Sequence, residues 1–168
     1  MRVRVGEGSY AKAVWQGRDV DCLIGRSGAL PASDKREGDG ATPLGRWQVL
    51  YGFYRADRVA KPKGKLLWTP LTERDGWCDG AGDALYNQWV PVGYGASHEV
   101  MWREDAAYDY VVVLSHNQPP VDGMGSAVFL HVWREEATHT AGCVALKAED
   151  LVGVLDELGL GDAVEVVV

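Results

Sequence analysis

Apolar residues fall in short runs, some alternating with other residues and some continuous, cut by glycine, proline and acidic residues, a pattern of strands rather than helices. VRV and then AVWQGRDVDCLIG predict the first strands, with Gln16-Gly17-Arg18-Asp19 as a hairpin turn between β-favouring runs. A loop rich in Gly, Pro, Ser and Asp, RSGALPASDKREGDGATPLG, leads into RWQVLYGFYR, where Trp47, Val49 and Tyr51 alternate with other residues. From Ala56 to Ala107 the pattern is irregular, and LLWTPL is its clearest strand. Loops of that length inside a compact domain accompany a binding site. DYVVVLSHN and SAVFLHVW carry the strongest strand signals, bounded by Pro119-Pro120 and Asp122-Gly123. The one convincing helix runs from Lys147 to Leu158: Leu151, Leu155 and Leu158 share a face, Glu149 and Asp150 suit the positive end of the dipole, and Gly159 stops it. AVEVVV closes the chain as a strand. Many strands with one late helix predict a mainly β, mainly antiparallel domain, either a sandwich or a partly closed barrel. The strand-helix alternation of a Rossmann fold is missing.

Composition narrows this further. A chain of 168 residues with 46% hydrophobic and 24% charged content reads as one domain spanning 1–168. The net charge of −7 argues against a nucleic-acid partner, because phosphate contacts need a basic surface. No apolar run approaches the roughly 18 residues of a membrane span, so no span is expected. The first residues, MRVRVGEGSYAKAVW, show no apolar core and no small-residue cleavage site of a secretory leader. Cys22, Cys78 and Cys143 are widely spaced and odd in number, which speaks against a disulfide framework and leaves at least one thiol free. Cys22 and Cys78 are read as structural.

Most candidate motifs fail on spacing. GDGATPLG, Gly38 to Gly45, has Pro43 where a dinucleotide loop needs its third glycine, so it is read as a turn feeding a strand. Asp75, Asp79 and Asp83 are spaced every fourth residue, unlike a calcium loop, and are expected to be solvated loop carboxylates. His98, His116, His131 and His139 form no HExxH or paired spacing, so neither a metal nor another cofactor is called for. Trp102 and Trp133 are candidates to line a groove. FLHVWREEATHTAGCVAL stands apart, because a thiol beside a histidine is a nucleophile in waiting. Gly142 permits a tight turn before Cys143, and such a turn can expose backbone N–H groups to an acyl oxyanion.

The chain resembles the L,D-transpeptidase catalytic domain family (YkuD-like). His131 in FLHVW and Thr140-Ala141-Gly142-Cys143 match the family's strand-end histidine and its Ser/Thr-x-Gly-Cys segment. Thr42-Pro43-Leu44-Gly45, preceded by CLIGRSG, is similar to the family's Thr-Pro-x-Gly turn. Ala141 stands where many members have histidine, and Ala145 where many have Arg or Asn. The resemblance implies a β-rich enzyme that transfers an acyl group of a peptidoglycan stem peptide through a thioester on the cysteine. It implies Cys143 as nucleophile, His131 as base, and the Cys143 N–H, with that of Gly142, as oxyanion donors, while Thr140 braces the loop. His139 is the second candidate base, and Asn117 and His116 are candidates to reach the site. The cysteine is then expected to have a depressed pKa. Peptidoglycan stem peptides are the implied partner and the cell envelope or periplasm the implied location, with the cytoplasm left open by the missing leader. Water as acceptor would make a carboxypeptidase, and loss of catalysis a glycan- or peptide-binding domain; the oligomeric state stays unread.

Overall fold

A computed structural model describes residues 1–168. Thirteen strands, one helix and one 3-10 turn follow in order: β1 (Arg2–Val5), β2 (Tyr10–Trp15), β3 (Arg18–Leu23), β4 (Ala29–Pro31), β5 (Thr42–Tyr54), β6 (Trp68–Pro70), β7 (Asp75–Cys78), β8 (Trp89–Pro91), β9 (His98–Val100), the 3-10 turn Ala106–Tyr108, β10 (Tyr110–Leu114), β11 (Phe129–Val132), β12 (Val144–Leu146), α1 (Ala148–Leu155) and β13 (Ala163–Val167). The main sheet runs β10-β11-β12-β3-β2-β1-β13-β5-β4, and β10 also pairs with β5. The long β5 pairs with β13 through Gly45 to Gln48 and with β10 from Val49 to Tyr54. The sheet thus returns on itself, and of the two architectures expected it is the partly closed barrel. Antiparallel pairing dominates, yet β1–β13, β11–β12, β4–β5 and β5–β6 are parallel. No helix is long and apolar enough to cross a membrane.

The apolar runs at β10 and β11 are continuous because both faces of the sheet are covered there. Alternate residues diverge: Tyr110, Val112 and Leu114, Val128, Leu130 and Val132, and Val144 and Leu146 enter a core of 23 buried residues inside the barrel. Val111, Val113, Phe129 and Cys143 enter a second core of 10 buried residues outside it, with Trp77, Met101 and Tyr108. The helix closes the first core with Leu151, Val154 and Leu155, and Leu158 follows it inward from the turn beyond. It is shorter than expected, because Asp156 already caps its C-terminus and the last leucine is buried outside the helix.

The second core is roofed by the segment that reads as irregular. It contains a sheet of order β8-β7-β9, whose strands of three or four residues are too short to leave a periodic trace. The solvated-carboxylate reading is corrected here. Asp75 is buried and accepts hydrogen bonds from Thr72 N (2.6 Å), Thr72 Oγ1 (2.9 Å) and Trp89 Nε1 (2.7 Å), so it ties the small sheet together. Oδ1 of Asp79 is buried as well. Beyond β3, Gly25 bridges to Thr140, and a Cβ at Gly25 would lie 2.2 Å from the Gly40 carbonyl oxygen. Gly25→Ala is therefore expected to lower unfolding free energy by roughly 1–3 kcal/mol through overpacking against backbone. Urea denaturation checks this, with an unchanged midpoint counting against the close approach.

Candidate active site

Strand β12 begins one residue after Cys143, and its parallel register with β11 sets Val144 beside Leu130 and Ala145 beside His131. Cys143 and Ala145 therefore face the same way as Phe129 and His131, outward from the barrel. The sulfur accepts the Phe129 N–H at 3.4 Å, which places it one same-face step from His131, about 7 Å along a strand. Both side chains line one cavity of about 560 Å³, together with Thr140, Gly142 and His139. Asp79, Glu99, Arg103 and Tyr108 of the roof complete it.

The cysteine loop is fixed by two threonines. Thr140 Oγ1 accepts the Gly142 N–H (3.1 Å) and donates to the Cys143 carbonyl (2.7 Å). Thr42 Oγ1 accepts the Gly25 N–H (2.9 Å) and donates to the same carbonyl (3.4 Å). The Thr-Pro-x-Gly and Gly-Cys segments, a hundred residues apart, thus meet on one oxygen. The former is no turn, because β5 already starts at Thr42. Gly142 has φ +145, and a Cβ there would lie 2.9 Å from the Ala41 carbonyl oxygen, so the backbone can pass only as glycine. Its N–H is committed to Thr140, which corrects Gly142 as an expected oxyanion donor, whereas the Cys143 N–H is free of any protein acceptor.

His131 Nδ1 lies 2.9 Å from the Val132 carbonyl, an acceptor, which assigns the proton to Nδ1 and leaves Nε2 as the basic nitrogen. Its ring meets Tyr108 edge-on at 5.5 Å. Tyr108 donates to Glu99 Oε1 (2.7 Å), and Arg103 is held by both oxygens of Asp105 at 2.8 Å. Burial pushes the His131 imidazole down to about 4 and the Cys143 thiol up to about 12. The expected depressed thiol is thus corrected: at rest the pair is neutral, and the thiol proton is donated to the Ala127 carbonyl at 3.1 Å. Ala127 takes the unusual φ of +52 and is clamped by Asn87, whose Oδ1 accepts its N–H at 3.0 Å.

His139 also lines the cavity, from an exposed position at its rim. Asn117 does not: its side chain bonds Val121 O (2.9 Å), Gly125 O (3.0 Å) and Val121 N (2.8 Å), closing its own loop. His116 lies buried behind it, against Trp47 and Met124 O. Of the tryptophans singled out, Trp133 lines the cavity, whereas Trp102 lies under the Arg55 guanidinium at 3.5 Å. Sequence reasoning missed Lys35, Glu99, Arg103 and Tyr108, which line the cavity from segments read as loop.

A proton balance at His131 follows from its depressed pKa. Between the unfolded value near 6.5 and about 4, the unfolded chain binds a proton that the folded chain refuses. Folding stability is then full above about pH 6.5 and falls as the pH drops toward 4. His131→Gln should flatten that fall by roughly 1–3 kcal/mol, read from unfolding curves at neutral pH and near pH 4.

The family model of the YkuD L,D-transpeptidase catalytic domain matches residues 3–166. Neither the curated proteins nor the solved structures gave a match.

Proposed function

The chain belongs to the L,D-transpeptidase catalytic domain family, a family of enzymes, and on that premise we propose that it transfers acyl groups of peptidoglycan stem peptides through a thioester on Cys143. The observation that carries this reading is the opening of Cys143 and His131 into one cavity from the same face of adjacent parallel strands. With a tetrapeptide stem bound, Nε2 of His131 takes the thiol proton as the sulfur attacks the carbonyl carbon of diaminopimelate. The carbonyl oxygen gains the negative charge and accepts the Cys143 N–H. His131 returns the proton to the departing nitrogen, the C–N bond breaks, and D-alanine leaves behind a thioester. An amine of a neighbouring stem then attacks that thioester, losing its proton to His131, and the sulfur recovers the proton as it leaves.

The resting neutrality of the pair suits this sequence. A thiolate already formed in an apolar wall would have to be held against its desolvation, whereas a neutral pair separates charge only as the carbonyl arrives. The substrate is thereby part of the activation. On this reading the partners are stem peptides and the place of work is the cell envelope, with which the family is typically associated.

Mass spectrometry of tetrapeptide-stem muropeptides incubated with the protein tests the proposal. Wild type should give a stem dimer, Cys143→Ala none, and His131→Gln at least about 100-fold less. Tripeptide without dimer would mean that water takes the acyl group, and no product from folded wild type would remove peptidoglycan as substrate.

A further inference from the structure

Lys35 is among the few buried charges of the chain, with its side chain 4% exposed. It sits in the DKREGDG loop and lines the same cavity as Cys143 and Gly142. Its aliphatic stem passes between two glycines of positive φ. A Cβ at Gly125 would lie 3.2 Å from Lys35 Cε, and one at Gly142 would lie 3.9 Å from the same atom. The stem is therefore packed against the backbone that immediately precedes the nucleophile. Nζ donates to Asp39 Oδ1 at 2.6 Å and to the Arg36 carbonyl at 2.8 Å, leaving one of its three N–H groups without a protein acceptor.

Lys35 lines the cavity together with Cys143, whereas its partner Asp39 is not among the lining residues. The negative end is also spread over other donors, since Asp39 accepts the backbone N–H groups of Arg36 (2.7 Å) and Ala41 (2.8 Å). Of the charged groups around Cys143, Glu99 opposes negative charge on the sulfur while Lys35 and Arg103 favour it, and the carboxylates Glu37 and Asp79 line the same cavity. A buried pair contributes little net stability over apolar packing, so its place at the nucleophile calls for an electrostatic role.

We propose that Lys35 is a positioning cation of this site, whose buried ammonium supplies the fixed positive charge that stabilises the anion developing at Cys143 as the thiol gives up its proton. The proposal rests on Cys143 as the nucleophile, and it is independent of which acyl donor the enzyme uses. The full chain is alkylated with iodoacetamide from neutral to alkaline pH, and the Cys143 peptide is followed by mass spectrometry. That readout needs no peptidoglycan, so failure here and failure of the muropeptide assay are separate results. Lys35→Met should alkylate about tenfold more slowly at a given pH, a shift of about one unit in the profile. Lys35→Arg should keep most of the wild-type rate. Asp39→Asn, which removes the countercharge and keeps the ammonium, should move the profile in the opposite direction, to faster alkylation. Where the methionine variant does not fold, Lys35→Gln removes the charge while keeping a hydrogen-bonding group. Slowing in both the Lys35 and Asp39 variants would reduce the pair to a structural brace, and an unchanged profile in both would remove Lys35 from the site's electrostatics; either overturns the proposal.

Discussion

The alternation of side chains across β10, β11 and β12 is the constraint on which everything else rests. A strand sends successive residues to opposite faces, and here both faces are buried in separate cores. One set fills the barrel and makes the three strands rigid. The other set meets the roof built from β7, β8 and β9, and Phe129, His131 and Cys143 belong to it. A slip of one residue in either strand would turn the histidine or the cysteine into the barrel. The barrel core therefore holds the register that aligns the chemistry.

The backbone around Cys143 is held by contacts distant in sequence. The Cys143 carbonyl is pinned by Thr42 and Thr140, the N–H of Gly142 is tied to Thr140, and the thiol rests on the Ala127 carbonyl. Each of those groups is itself held: Thr42 by Gly25, and Ala127 by Asn87, which also accepts the Trp77 indole N–H at 3.0 Å. The roof thus reaches Cys143 through Asn87 as well as through the cavity wall. Such support suits the acyl transfer we propose, which tolerates only small errors in the approach of sulfur, carbonyl and base.

Much of the barrel was legible, because its strands leave either an alternating period or a continuous apolar run bounded by turn residues. The hairpin of β2 and β3, the strong β10 and β11, and the late helix all announce themselves. The small sheet does not, since three residues carry no period and Asp75 looks like a loop acid until Thr72 and Trp89 are seen to surround it. At the site, the sequence points to Cys143, His131 and Thr140, whose spacing is local. It misplaces Asn117, because a polar residue after a strand looks alike whether it faces a cavity or closes its own loop. Thiol acidity was misjudged for a deeper reason. The histidine neighbour is visible in sequence, but the burial that raises the thiol pKa belongs to a core shared with the roof, and the roof was invisible.

That roof also bears on Ala145, where the resemblance led us to expect Arg or Asn. Ala145 is 1% exposed and lies between His131 and Leu23 in the sheet, so no guanidinium rises from that strand into the cavity. The guanidinium groups on that side come from Arg103 and Arg134, both bonded to Asp105. Asp105 is held ionised well below the usual carboxylate range, chiefly by its hydrogen bonds to Arg103. Positive charge is thus brought to the cavity by the segment after β9 and by the loop after β11, and one carboxylate, Asp105, ties the two together. The cavity consequently depends on two bodies at once: the barrel sets Cys143 and His131, and the roof, with the loops beside it, sets the charges around them.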